Sequence, residues 1–157
     1  MGAWGRIGGP EIALAHEAWF DGNEDQYGVE LRTLIEGSRG VSATVYAEGC
    51  QMRTSFRAKI ERIFEDVDLL LCPALGVPLR ANTNLGDPAE PLAGLASRFT
   101  LAFDVSGSPT VTFPCGFRGE SPIGAQLVAP WLGEATALSA VSAYENRTLW
   151  HTRHPDL

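Results

Sequence analysis

The stretch that most constrains this chain is a helical pattern running straight into a short apolar segment closed by proline. Ser42 can cap a helix N-terminus. Behind it Tyr46, Cys50, Arg53, Phe56, Ile60, Ile63, Phe64 and Val67 recur near a period of 3.6, which predicts a helix over 42–66 with one face buried. Asp68-Leu69-Leu70-Leu71-Cys72-Pro73 follows without a break. Such a run predicts a strand over 68–72, covered on both faces inside a parallel or mixed sheet. A helix feeding an interior strand is an α/β unit, so the expected fold class is α/β, a mixed β-sheet flanked by helices.

The flanks fill in the remaining elements. Helical spacing covers 11–36 in two pieces, Glu11 to Phe20 behind Pro10 in the first turn, and Asp25 to Glu36 closed by Gly37. A turn at Asp21-Gly22-Asn23 joins them. Gly2, Gly5, Gly8 and Gly9 read as flexible chain. Pro73 to Pro91 holds four of the ten prolines and reads as an irregular surface loop. A helix over 92–103 is broken by Ser106-Gly107-Ser108-Pro109. Strands follow at 110–114 and 123–129, adjacent and antiparallel across the Gly/Pro-rich connector Pro114 to Pro122. A last helix over 134–150 carries Leu138, Val141, Tyr144 and Leu149 near one side.

Composition removes several function classes. With 157 residues, 45% of them hydrophobic, the chain can bury one core, and a single domain over 1–157 is expected. A formal net charge of −7 repels polyanions, so neither nucleic acid nor an anionic membrane is an expected partner. Cys50, Cys72 and Cys115 lie far apart without paired spacing, which fits a reduced, cytoplasmic setting and no cysteine metal site. No apolar run is long enough for a membrane span. His151-x-x-His154 with Asp156 has metal-like spacing but sits in the chain's tail, and no metal or cofactor is expected.

One segment carries a specific likeness. Phe103-Asp104-Val105-Ser106-Gly107-Ser108-Pro109-Thr110-Val111-Thr112-Phe113-Pro114-Cys115-Gly116 is followed by Pro122-Ile123-Gly124-Ala125-Gln126-Leu127-Val128. Then come Glu134, Leu138, Ala143-Tyr144-Glu145 and Trp150-His151. This order resembles the C-terminal part of amidase-signature amide hydrolases: a small-Gly-x-Pro turn, a strand ending Pro-x-Gly, a Pro-[IV]-Gly-x-Gln strand and a closing helix. Upstream, Gly37, Ser42, Tyr46, Arg53 and Asp66 to Pro73 resemble the same family's helix-then-strand segment, so the likeness covers nearly the whole chain. Asp104 departs from the family's usual Asn: a carboxylate only accepts where an amide also donates. Ser97-Arg98 stands where glutamine-transamidating members place an acid, and the chain looks more like a general amidase.

The resemblance implies chemistry that these residues do not supply. Such enzymes use a serine nucleophile, a second serine in a cis peptide and a lysine base whose pKa is depressed by its surroundings. The Ser/Lys segment is absent from this chain. Its single lysine, Lys59, lies mid-helix among Arg57, Glu61 and Arg62 and reads as a solvated surface residue. No catalytic residue is therefore assigned. Cys115 reads as a small buried hydrophobe, and His16, beside Glu17, as a hydrogen-bonded helix residue.

The residues expected to wall an amide substrate's acyl group are Phe103, Asp104, Ser106, Gly107 and Gln126, with Ala74 to Pro78 beside them. They cluster where a helix-to-strand turn meets strand ends. For Gln126, holding structure competes with touching substrate, since a buried amide needs partners either way.

Two readings of function follow. In one the chain is a fragment or split part of an amidase, with amide substrate bound only in the complete enzyme and a separate N-terminal half as partner. In the other it is a free-standing noncatalytic binding or assembly module on the same scaffold. Self-association into a homo-oligomer fits either.

Overall fold

The computed structural model describes residues 2–76 and 97–154. The expected loop over 73–91 beyond Gly76, the helix over 92–103 before Ser97, and Asp156 lie outside the described residues. The chain divides into two compact units, Met1–Phe56 and Arg57–Leu157, and the division falls inside one continuous helix.

In the first unit, α1 spans Ala3–Phe20 and α2 spans Val29–Ser38, while α3, Ala43–Ile63, begins here. The glycine-rich start is helical, which corrects the expectation of flexible chain, and Pro10 lies inside α1 rather than in its first turn. The glycines serve close approach. A Cβ on Gly9 would stand 2.5 Å from the Ser38 hydroxyl, and one on Gly49 would stand 2.8 Å from the Arg6 Cβ. With Ile7 and Gly9 buried, the start of α1 is held by packing that its own residues do not announce.

Ala13, Phe20 and Ile35 form the buried core of this unit, with Ile12 and Tyr27 against it. Aromatic edges and a cation finish that core. Phe20 and Tyr27 meet at 5.1 Å, the Arg39 guanidinium lies 4.8 Å from the Phe20 ring centre, and Arg39 is ion-paired to Asp21 at 2.8 Å.

The turn between α1 and α2 falls at Asp21-Gly22-Asn23 as expected, with Gly22 at φ 85°. Glu24 accepts from the Gly22 N–H, and the backbone donors at Glu24 and Gly22 hold its carboxyl below the usual range. Gly37 does not close α2: the helix continues to Ser38, which is buried. Ser42 caps α3 as expected, its hydroxyl accepting from the Val45 N–H at 3.3 Å.

The second unit is built on a three-stranded antiparallel sheet in the order β1-β3-β2, formed by β1 (Leu70–Pro73), β2 (Thr110–Arg118) and β3 (Ser121–Val128). The expected mixed sheet reduces to this among the described residues. β1 is an edge strand here, and Leu71 is 68% exposed where burial on both faces was expected. The connector proves shorter than its composition suggested. Both strands run on to a hairpin whose loop is Gly119-Glu120, with Gly119 at φ 62°, and a bulge between Pro114 and Gly116 absorbs one residue.

Facing residues in an antiparallel pair share a face, so Gln126, Thr112 and Cys72 lie on one side of the sheet, and Phe113, Ala125 and Pro73 on the other. The second side receives α5, Glu134–Glu145, whose Tyr144 ring meets Phe113 at 5.0 Å. Its buried stripe is Ala137 and Val141; Leu138, expected to face inward, is 57% exposed, and Leu149 is exposed beyond the helix end. The helix is also shorter than expected, with a separate turn at Trp150–Thr152. On the Gln126 side lie a turn at Ser97–Phe99 and the short α4, Leu101–Ser106.

Candidate functional site

The helix-to-strand turn is organised around one carbonyl. Phe103 O accepts from the Gly107 N–H at 2.8 Å, from the Ser108 N–H at 3.3 Å and from the Ser106 hydroxyl at 3.2 Å. Since the Ser106 proton goes to Phe103 O, the Ser108 hydroxyl, 2.8 Å from Ser106 Oγ, is the donor of that pair. Ser106 is 4% exposed and its proton is committed, so it holds the turn and has none to give a substrate. Gly107 ends α4 in the left-handed region at φ 71°, ψ 23°. Its missing side chain is demanded by that backbone angle and not by crowding, because a Cβ there would meet nothing within 4 Å. Asp104 is exposed and Phe103 half-buried.

Gln126 is 2% exposed on the central strand. Its Nε2 donates to Phe99 O at 2.8 Å and to Pro73 O at 3.3 Å. Two carbonyl acceptors leave no doubt which end of the amide is nitrogen. One side chain thus ties three segments far apart in sequence: β3, the end of β1 and the turn leading into α4. The buried amide thus has the hydrogen-bond partners that burial demands. The carbonyls of Phe99 and Pro73, and not side chains, are the polar partners that sequence reading missed, since no residue type marks a carbonyl acceptor.

Close by, Gly124 lets Ala74 and Thr112 flank the strand: a Cβ would stand 3.1 Å from Ala74 Cβ and 3.6 Å from Thr112 Cγ2. Phe103, Asp104, Ser106 and Gly107 are therefore grouped on one turn, and Gln126 reaches the main chain just ahead of it. Of the expected flanking segment, Ala74 to Gly76 is described; Val77 and Pro78 lie outside the described residues.

Lys59 is exposed on α3, and Cys50, Cys72 and Cys115 are free and partly buried. His16 Nδ1 lies 3.0 Å from the Tyr27 hydroxyl. Among the described residues no three His, Cys, Asp or Glu side chains group as a metal site. His151 and His154 instead line an open groove of about 650 Å³ with Phe117, Trp150 and Arg153, where the Arg153 guanidinium stacks 3.7 Å from the Phe117 ring centre. No described helix is long and apolar enough to cross a membrane.

This turn, the hairpin behind it and the glutamine that reaches between them form one mixed α/β unit. The amidase family profile matches residues 20–138. An amidase from Pseudomonas putida is 31% identical over 153 residues, 94% of this chain and 33% of that protein. Two solved structures share the fold. A bacterial aryl acylamidase of the amidase-signature family has TM-score 0.76 at 21% identity, covering 96% of this chain and 34% of its own. A second amidase has TM-score 0.79 at 20% identity, covering 92% and 34%. The chain belongs to the amidase-signature family, and it spans about a third of the length of the relatives it matches.

Proposed function

We propose that this chain is the C-terminal part of an amidase that hydrolyses carboxylic amides, completing the sheet and walling the acyl pocket. The serine nucleophile and lysine base belong, on this reading, to the two thirds of the fold the chain does not span. The observation that supports it is the turn from Phe103 to Ser108, held rigid by three hydrogen bonds to one carbonyl. It sets the half-buried Phe103 ring and the exposed Asp104 at the helix-to-strand junction, where open α/β sheets receive ligands. Phe103 then limits the size of the acyl group, and Asp104 with the Gly107 main chain orients the amide. Gln126 acts mainly by fixing the turn ahead of α4.

The test is complementation. The chain alone is expected to hydrolyse no aliphatic or aryl amide. Mixed with the Pseudomonas putida amidase cut back to its other two thirds, it is expected to restore hydrolysis. In that complex Phe103→Ala should shift kcat/KM across acyl lengths by about 10- to 200-fold per methylene, the discrimination an apolar pocket provides. Turnover by the chain alone that survives Lys59→Ala and Cys115→Ala would refute the assignment. So would unchanged selectivity in the complex. A reversible, monodisperse monomer that never binds the other two thirds would favour the noncatalytic module.

A further inference from the structure

The turn at Trp150–Thr152 is joined to the hairpin through one ring. Thr152 closes that turn with its hydroxyl and its N–H, both donating to Leu149 O, at 2.8 Å and 3.2 Å, and the Arg153 N–H donates to Trp150 O at 3.4 Å. The turn so held brings two of its side chains to Phe117 on β2. The Trp150 ring lies 6.1 Å from it, tilted by 41°, and the Arg153 guanidinium lies 3.7 Å from its ring centre. Between the turn and the hairpin runs the groove of about 650 Å³, a size that suits a small molecule. Its walls belong to the second unit alone, so sheet and turn set its shape.

The groove's charges are unlike the chain's ion pairs. Arg6, Arg39 and Arg57 each face a carboxylate, whereas among the described residues none pairs with Arg153, whose cation rests on the Phe117 ring instead. A guanidinium that stacks by its face keeps its N–H edge in the plane, a fork that matches the two oxygens of a carboxylate. His151 and His154 line the same groove, and among the described residues their side chains have no hydrogen-bond partner. Each imidazole offers at least one N–H in either protonation state. The acid in the groove, Glu120, sits on the exposed hairpin loop.

We propose that this groove binds a small aromatic carboxylate, its carboxyl on the Arg153 fork and the imidazole N–H groups, its ring against Trp150. A neutral aromatic molecule would leave the fork unmet, and a bare anion would leave the indole face uncovered. The site is distinct from the turn at Phe103 to Ser108, and it stands or falls independently of the function proposed above.

The experiment titrates sodium benzoate into the full chain at constant ionic strength and follows proton–nitrogen correlation spectra. Benzamide serves as the neutral isostere and acetate as the anion without a ring. Benzoate should shift the Trp150 indole signal and the Phe117 and Arg153 amides saturably, and benzamide and acetate should each bind at least ~10-fold more weakly. Arg153→Ala should weaken benzoate at least ~10-fold, and Arg153→Lys, which keeps the charge but loses the fork, at least ~5-fold. Arg153 is exposed, so both variants should keep the far-UV spectrum of the parent chain. The absence of a saturable shift by about 50 mM benzoate would overturn the assignment. Equal binding of benzamide or acetate would do the same, as would full affinity in Arg153→Ala. Shifts gathered at Phe103 to Ser108 instead would also overturn it, and would count for the acyl pocket proposed there.

Discussion

Replacing Gln126 by leucine separates tying the fold together from contacting substrate. The side chain is 2% exposed and its nitrogen serves two main-chain carbonyls, Phe99 O at 2.8 Å and Pro73 O at 3.3 Å. Leucine keeps most of the volume and strands both acceptors. Leaving a buried polar group unsatisfied costs about 1–3 kcal/mol, and Pro73 is exposed so that its carbonyl can turn to water, so a loss of roughly 1–3 kcal/mol is expected, mainly from the Phe99 carbonyl. With a urea slope of about 1–3 kcal/mol/M, the midpoint should fall by ~1 M.

Gln126→Glu sharpens the test, because an ionised carboxylate would set oxygen against two carbonyl oxygens. Burial and those carbonyls raise its pKa in the folded state, so whatever stability the variant has is held at low pH and lost as pH rises through that raised value. At neutral pH it should be less stable than the leucine variant, and on acidification it should recover relative to it. Unfolding followed by circular dichroism at several pH values decides the matter. A leucine variant with an unchanged midpoint would refute the view that this amide holds β1, β3 and the turn before α4 together.

Two further perturbations probe the first unit. Gly49→Ala places a Cβ 2.8 Å from Arg6 Cβ and 2.9 Å from Ile7 Cγ1; overpacking of about 1–3 kcal/mol should lower the melting temperature, which calorimetry reads directly. Tyr46 donates its hydroxyl to Glu11 at 2.8 Å, and that carboxylate pushes the phenol up to about 12. A raised folded-state pKa means stability fully present below the phenol's ordinary value of 10.0 and lost as pH rises through about 12. Tyr46→Phe should abolish that alkaline loss in a pH series of urea melts.

What the sequence disclosed depended on whether the signal was local. The Ser42 cap, the Asp21-Gly22-Asn23 turn and the two hairpin strands are set by residues within a few positions, and they were legible. The start of α1 was not. Three glycines and a proline lower helix propensity, and the contacts that override it, Gly9 against Ser38 and Gly49 against Arg6, join residues about thirty to forty positions apart. On α5, Val141 and Tyr144 face the sheet as expected, but Ala137 and not the more hydrophobic Leu138 takes the buried place beside them. Within the site, a buried amide at Gln126 could be anticipated from strand alternation. Its acceptors could not, because main-chain carbonyls look alike in every sequence.

The strand order has a consequence for how the sheet comes into being. β2 and β3 are joined by two residues, and such a hairpin closes in about 1–10 μs. β1 pairs with β3 across a long stretch of chain, Cys72 facing Gln126, and the entropy of closing so long a loop delays it. During synthesis from the N-terminus, β1 emerges first and its partner last. At ribosomal rates of about 5–20 residues per second, the apolar run Leu69-Leu70-Leu71 stays without its strand for seconds. Of the three strands, β1 is thus the one a chaperone would meet longest.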